Sequence, residues 1–197
     1  MFTGIIEARG TVLEVRQEHS NKSFCIESII SPELKIDQST SHDGVCLTVT
    51  EVGRDTHWVT AIDETLKKST LGLLRAGDVI NLERCLVANG RFDGHVVQGH
   101  VDQMGKCISI KDAQGSWLFE FEYDPTLGNV TVEKGSICIN GVSLTCFNSR
   151  ANSFTVAIIP YTYENTNFKT LKVGSVVNLE FDIIGKYVKR LLNLYNA

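Results

Sequence analysis

From Val45 onward the chain alternates in character. Val45, Leu47 and Val49 interleave with Cys46, Thr48 and Thr50, a period of two that places one set on each face of a β-strand. Val79-Ile80-Asn81-Leu82, Trp117-Leu118-Phe119-Glu120-Phe121 and Phe154-Thr155-Val156-Ala157-Ile158-Ile159 are β-branched or aromatic runs bounded by Gly, Asn, Asp or Ser, which also reads as strand. Short strands at this spacing predict small antiparallel barrels or sandwiches, an all-β class, rather than a parallel sheet. Two segments read as helix. Asp63 to Thr70 is short and weakly amphipathic. At the C-terminus Ile183, Ile184, Tyr187, Val188, Leu191, Leu192 and Tyr195 recur at three- and four-residue steps, giving one apolar stripe. That stripe packs either on its own barrel or on other subunits, and the second is expected.

The pattern is written twice. Gly44-Val45-Cys46-Leu47-Thr48 returns 97 positions on (46 to 143) as Gly141-Val142-Ser143-Leu144-Thr145, and Ser39 returns as Ser136, Thr65 as Thr162. The segment Gly77 to Glu83 returns as Gly174 to Glu180 at the same offset. Gly4-Ile5-Ile6-Glu7 with Gly10 matches Gly99-His100-Val101-Asp102 with Gly105 at an offset of 95 (4 to 99), so the later copy gains two residues between these blocks. Such a period is too long for a solenoid and has the size of a small domain. The expected organisation is a first barrel over 1–96, a second over 97–182 and a terminal helix over 183–197. The glycine-bearing stretch Asn89 to Gly94 is a loop near the boundary.

Composition narrows the function. The chain has 197 residues, 43% hydrophobic and 21% charged, with a net charge of −4. That balance argues against a partner that is nucleic acid or anionic membrane, since both need a basic face. No apolar run approaches the roughly 20 residues that span a bilayer, and the start lacks the pattern of a secretory signal. Six cysteines without a CxxC pair read as reduced thiols of a cytoplasmic protein. His95 and His100 lie five apart in a glycine-rich stretch, a poor zinc spacing.

Five blocks together resemble the riboflavin synthase family: Met1 to Glu7, Gly44 to Val49, Val97 to Asp102, Gly141 to Thr145, and Glu180-Phe181-Asp182 before the last helix. The resemblance spans essentially the whole chain, in the family's order. It implies two six-stranded Greek-key barrels and a C-terminal helix that joins subunits into a homotrimer. It also implies the substrate 6,7-dimethyl-8-ribityllumazine, two molecules per site, with no metal and no separate cofactor. The implied reaction is a dismutation: one lumazine gives a four-carbon unit to another, yielding riboflavin and 5-amino-6-(ribitylamino)uracil. Departures are few. Ser41-His42-Asp43 stands where the family has a small residue, an apolar residue and Asn. Cys146 stands where Val is usual. Asp before Gly keeps the turn chemistry.

A protein that holds two copies of one reactant suits two copies of one binding domain. Orienting the pair is worth up to ~7–11 kcal/mol in favourable cases. Backbone groups of Gly4-Ile5-Ile6 and Gly99-His100-Val101 offer hydrogen bonds to a ring edge, the glycines permitting close approach. Thr48, Thr65, Thr145 and Thr162 offer hydroxyls, or simply suit strands. By resemblance, Cys46-Leu47-Thr48 and Ser143-Leu144-Thr145 contact ligand. So do Thr60, Ala61, Ile62, Asp63, Glu64 and Thr65 in the first copy, and Ala157, Ile158, Ile159, Pro160, Tyr161 and Thr162 in the second. Lys134 touches one ligand.

The copies differ where their ligands have different fates: Cys46 against Ser143, Ile5 against His100, Glu64 against Tyr161. Cys46 reads as a nucleophile or proton carrier, or as a buried strand cysteine. His100 carries an imidazole, the side chain suited to general acid–base work on the acidic C7 methyl of the substrate, or is structural. Resemblance implicates Ser39, with Ser136 behind it. Asp182 either caps the helix or reaches the site, and Phe2 either stacks on a ring or anchors a strand. The family's working site forms between the first barrel of one subunit and the second barrel of its neighbour. Two rivals stand beside the enzyme: a non-catalytic lumazine or flavin carrier of antenna type, and a duplicated barrel for ions or oligosaccharides.

Overall fold

The computed structural model describes residues 1–195. Asn196 and Ala197, the end of the expected terminal helix, lie outside the described residues, as does the side chain of Tyr195 from the apolar stripe. The first half contains β1 (Ala8–Glu18), β2 (Asn21–Glu27), β3 (Ser39–His42), β4 (Val45–Val52), β5 (Thr56–Ala61) and β6 (Val79–Arg84), with α1 (Asp63–Lys68) between the last two. The second contains β7 (Gln103–Asp112), β8 (Trp117–Glu122), β9 (Ser136–Ile139), β10 (Val142–Phe147), β11 (Ser153–Ile158) and β12 (Val176–Phe181), with α2 (Pro160–Asn165). The helix α3 (Ile183–Tyr195) follows.

Each half closes into an antiparallel barrel with the same circular order, β1-β2-β5-β4-β3-β6 and β7-β8-β11-β10-β9-β12. Closure removes the exposed edges that an open sheet of this size would carry. The irregularities repeat too. β1 bulges against β2 between Val12 and Glu14, and β7 against β8 between Cys107 and Ser109. The offset is 95 through β8 and 97 from β9, so the two added residues lie in the connection 123–135. α2 repeats α1, although only the first was expected from the pattern around it. Its sequence, Pro-Tyr-Thr-Tyr-Glu-Asn, has no apolar stripe and begins on a proline suited to a helix start.

The β3–β4 and β9–β10 hairpins turn on Asp43-Gly44 and Asn140-Gly141, all four with positive φ (47° and 81°, 47° and 82°). Those are two-residue turns of type I′, which match strand twist and need Asn, Asp or Gly. Alternation delivers Val45, Leu47 and Val49 to the first core, with Phe24, Ile26, Val59, Ile80 and Leu82. The second core is aromatic, built on Phe119, Phe121, Phe154 and Phe168, with the Phe168 ring edge-on to the first two.

The barrels meet through a buried, pseudo-symmetric polar seam. Asn81 donates its side-chain amide to Asn140 O at 2.9 Å, and its twin Asn178 donates to Asp43 O at 2.8 Å. The Asn81 and Asn178 backbone N–H groups donate, each within its own half, to Asp43 Oδ1 (2.7 Å) and Asn140 Oδ1 (2.8 Å). Buried polar groups satisfied in this way fix one register between the halves, which apolar contact alone would leave loose.

The helix α3 docks by its polar face. Lys186 pairs with Asp102 at 2.7 Å and Lys189 Nζ donates to Gly128 O. Its apolar stripe faces outward: Ile184, Tyr187, Val188, Leu191, Leu192 and Leu194 are each half or more exposed. Of the two places expected for the stripe, its own barrel is not the one it covers.

Candidate functional site

The segments before β1 and β7 cross between the halves. Phe2 N–H donates to Val97 O (2.7 Å) and Val97 N–H to Phe2 O (3.1 Å), an antiparallel bridge between equivalent positions. Beyond it, Gly4 O accepts the Ser143 N–H at 2.8 Å, and Gly99 O accepts the Cys46 N–H at 2.8 Å. Ile6 packs on the core of the second barrel, Val101 on that of the first. The contacts leave no room for a side chain. A Cβ on Gly4 would sit 2.5 Å from Ser143 Cβ, and one on Gly99 2.6 Å from Cys46 Cβ. Both glycines also hold φ near +80°, which ordinary residues avoid.

One cavity results at the first barrel, about 280 Å³, lined by Val45, Cys46, Glu64, Thr65, Lys68, Ser69, Gly99, His100 and Val101. It brings together Cys46, Thr65 and Glu64 from the first copy with Gly99, His100 and Val101 from the second. Glu64 pairs with Lys68 at 2.9 Å across one turn of α1, which holds its carboxyl below the usual range. In the second barrel the equivalents of that pair are Tyr161 and Asn165, an exposed ring and an amide bonded to Tyr161 O. The mouth of the first cradle is thus charged and that of the second neutral and aromatic. Trp117 and Tyr163 stack with centroids 3.9 Å apart and pack on the core of the second barrel.

At the second cradle the Ser143 hydroxyl lies 2.6 Å from His95 Nδ1. Burial pushes the His95 imidazole down, while the Asp182 charge opposes this. Ser143 and His95 therefore form a hydroxyl–imidazole pair with no counterpart in the first half. His95 was legible only as a poor zinc ligand. Its use depends on the loop before β7 folding back over Ser143, which no local pattern encodes. Asp182 also caps α3, its Oδ1 accepting the Ile184 N–H at 3.0 Å, so capping and nearness to the site coexist.

Other expected residues do not line the Cys46 cavity. Leu47, Ala61 and Ile158 point into the barrel cores, because strand alternation sends every second residue inward. Phe2 is fully buried with Val97 and Cys138, under Gly99. It anchors the segment and offers no face for stacking. Ser39 pairs with Thr48 on β3–β4 and lines a separate depression of about 430 Å³ with Glu83, Arg84 and Arg91, not the Cys46 cavity. Thr60 binds Ser23. Leu144 packs on the second core. Lys134 is exposed at φ 63° with its ammonium 5.3 Å over Phe147. Ile5, Ile62, Ala157, Ile159, Pro160, Thr48 and Thr145 are exposed, and Asp63 and Thr162 are half-buried. Among the described residues no cluster of three His, Cys, Asp or Glu could hold a metal ion, and no helix is long and apolar enough to cross a membrane.

Two like barrels, each cradle completed by a glycine segment from the other half, define a tandem ligand-binding protein. The Lumazine binding domain family matches twice, over residues 3–85 and 98–182. The chain is 40% identical to riboflavin synthase of Actinobacillus pleuropneumoniae over 98% of its length and 90% of that protein's. It is 39% identical to riboflavin synthase of Bacillus subtilis (strain 168) over 100% and 92%, and 36% identical to that of Saccharomyces cerevisiae over 100% and 89%. Crystal structures of LumP with riboflavin and with 6,7-dimethyl-8-(1'-D-ribityl) lumazine share the fold. Their TM-scores are 0.84 and 0.83, at 22% and 20% identity. The alignments cover 92% and 91% of this chain and 99% and 98% of LumP. The chain belongs to the riboflavin synthase family of enzymes.

Proposed function

We propose that the protein converts two molecules of 6,7-dimethyl-8-ribityllumazine into riboflavin and 5-amino-6-(ribitylamino)uracil. The observation that carries this reading is the pair of homologous cradles with unlike chemistry. Cys46 faces Gly99 in one, and Ser143 faces Gly4 and His95 in the other. Identical reactants with different fates need matching shape and differing polar groups. Much of the rate then comes from orientation, with proton transfer at the substrate methyl assisted by His100 or the Ser143–His95 pair. Cys46 offers a thiol as nucleophile or proton carrier.

The outward apolar stripe of α3 supports a homotrimer, the site forming between the first barrel of one subunit and the second barrel of the next. Each site then holds two substrate molecules, and the protein works in the cytoplasm. The test is incubation of the purified protein with the lumazine and no additive. Riboflavin formation supports the enzyme; tight fluorescent binding without conversion marks a carrier instead; the absence of both outcomes sinks both readings and favours the barrel for ions or oligosaccharides. Removal of residues from Ile183 onward should abolish turnover, and full activity in a proven monomer overturns the shared site.

A further inference from the structure

Two buried carboxylates lie behind the crossing segments. Glu180, on β12, accepts three backbone N–H bonds from successive residues: Gln98 at 2.6 Å, Gly99 at 2.9 Å and His100 at 2.9 Å. Glu83, its twin on β6, accepts the Thr3 N–H at 2.7 Å, the Thr3 hydroxyl at 2.7 Å and the Gly4 N–H at 2.9 Å. Both are only 3% exposed, and neither lines the cradle cavity of the first barrel. A buried carboxylate is costly unless its oxygens are fully engaged; here backbone donors supply that engagement as charge-assisted bonds.

These bonds also fix which way the segments face. With the N–H groups of residues 98–100 gathered on one carboxylate, the Gly99 carbonyl points the other way, onto the Cys46 N–H. On the mirror side the Gly4 carbonyl points onto the Ser143 N–H. We propose that Glu83 and Glu180 are positioning residues that act crosswise: each holds the glycine segment of its own half in the cradle of the other. Glu180 of the second barrel thereby sets the Cys46 cradle, including the placement of His100. Glu83 of the first barrel sets the Ser143 cradle. This deepens the proposed function, since it rests on the Cys46 and Ser143 surroundings being the ligand cradles.

The test uses Glu180→Gln and Glu83→Gln in the full chain. Each keeps side-chain size and replaces one acceptor oxygen with an NH2 group, which donates and cannot accept. Backbone hydrogen exchange is read at Cys46 and Ser143, with no ligand present. Glu180→Gln should speed exchange at Cys46 by about tenfold, the scale of one lost charge-assisted bond, and leave Ser143 unchanged; Glu83→Gln should do the reverse. With ligand, Glu180→Gln should weaken riboflavin protection of Cys46 from alkylation, whereas Glu83→Gln should not. A role confined to general stability would move both amides in both variants. A role within the same barrel would pair Glu83 with Cys46. Either outcome, or no change at either amide, overturns the proposal. If one variant does not fold, the other still decides between crosswise and same-barrel action. Failure of the wild type to bind the lumazine or riboflavin would instead sink the functional reading, and the exchange contrast would stand apart from it.

Discussion

Gly44 and Gly141 meet across the seam between the barrels, so closely that a Cβ on Gly44 would lie 2.7 Å from the Gly141 backbone nitrogen. They are the same residue of the repeat, each the second position of a type I′ turn. The pseudo-two-fold relation between the halves is thus made by backbone touching backbone at the tightest point of each hairpin.

Gly44→Ala should therefore cost more than a strained glycine elsewhere. Gly77 holds φ +95°, and a methyl group added there would meet nothing within 4 Å, so Gly77→Ala isolates the conformational penalty, about 1 kcal/mol. Gly44→Ala adds the collision and should lose a further ~2 kcal/mol. Urea denaturation of the two variants checks the difference; equal losses would mean the barrels do not bear on each other there.

Acid should weaken the first barrel through a histidine pair. His42 Nδ1–H donates to Thr40 O, so its Nε2 accepts from His57 Nε2–H at 2.9 Å, and His57 Nδ1 accepts from the Ser31 hydroxyl at 2.8 Å. Both rings are buried. Burial depresses His42 to about 3, with the neighbouring His57 adding to the effect, and burial depresses His57 to about 4. The unfolded chain takes up protons near pH 6.5 and the folded one does not. Stability is then lost as pH falls from about 6.5 toward 4, by up to ~2 kcal/mol per histidine at pH 5. The second barrel carries Ile139 and Phe154 at these places. A His42→Ile, His57→Phe double variant should flatten the urea midpoint against pH, and a slope matching the wild type would count against the pair.

Asp43 should act with the opposite sign. Burial raises its carboxyl to about 8, against the opposing bond from the Asn81 N–H. A group whose folded value lies above its unfolded one stabilises fully below about pH 4. That stability is lost as pH climbs toward 8. The twin position is Asn140, so Asp43→Asn keeps the turn and the acceptor for the Asn81 and Asn167 N–H donors. It should raise stability at pH 7 by on the order of 2 kcal/mol and leave it unchanged near pH 4. A melting temperature no higher than wild type at pH 7 would show that Asp43 ionises there without cost.

Leu191→Glu should separate subunits without unfolding barrels. Leu191 is 53% exposed on the outward stripe of α3, so a charge there is harmless in one chain and costly in an apolar contact between chains. Sedimentation velocity should show a smaller species with an unchanged circular dichroism spectrum. An unaltered sedimentation coefficient would mean that α3 makes no contact between chains.

Much of the site is legible in the sequence because duplication marks it. Cys46, Thr65, Glu64, Gly99, His100 and Val101 all stand at paired positions of the repeat, and they line one cavity. Ser39 stands at a paired position too and lies in another depression. A β-strand sends its residues to different places along its length, and a matched block does not say which face or end is wet. His95, Glu83 and Glu180 act through contacts with residues 48 or more positions away, and leave no local period.

The chain by itself determined two all-β halves, their offset and their turns, because hydrophobic alternation and Asx-Gly chemistry act within a few residues; closed barrels rather than sandwiches followed only from the family resemblance. Tertiary structure alone decided that the segments before β1 and β7 exchange places, that Asn81 and Asn178 lock the seam, and that His42 meets His57. Those outcomes depend on how two closed surfaces fit, and complementarity between distant surfaces is set by packing and hydrogen-bond satisfaction, not by sequence spacing.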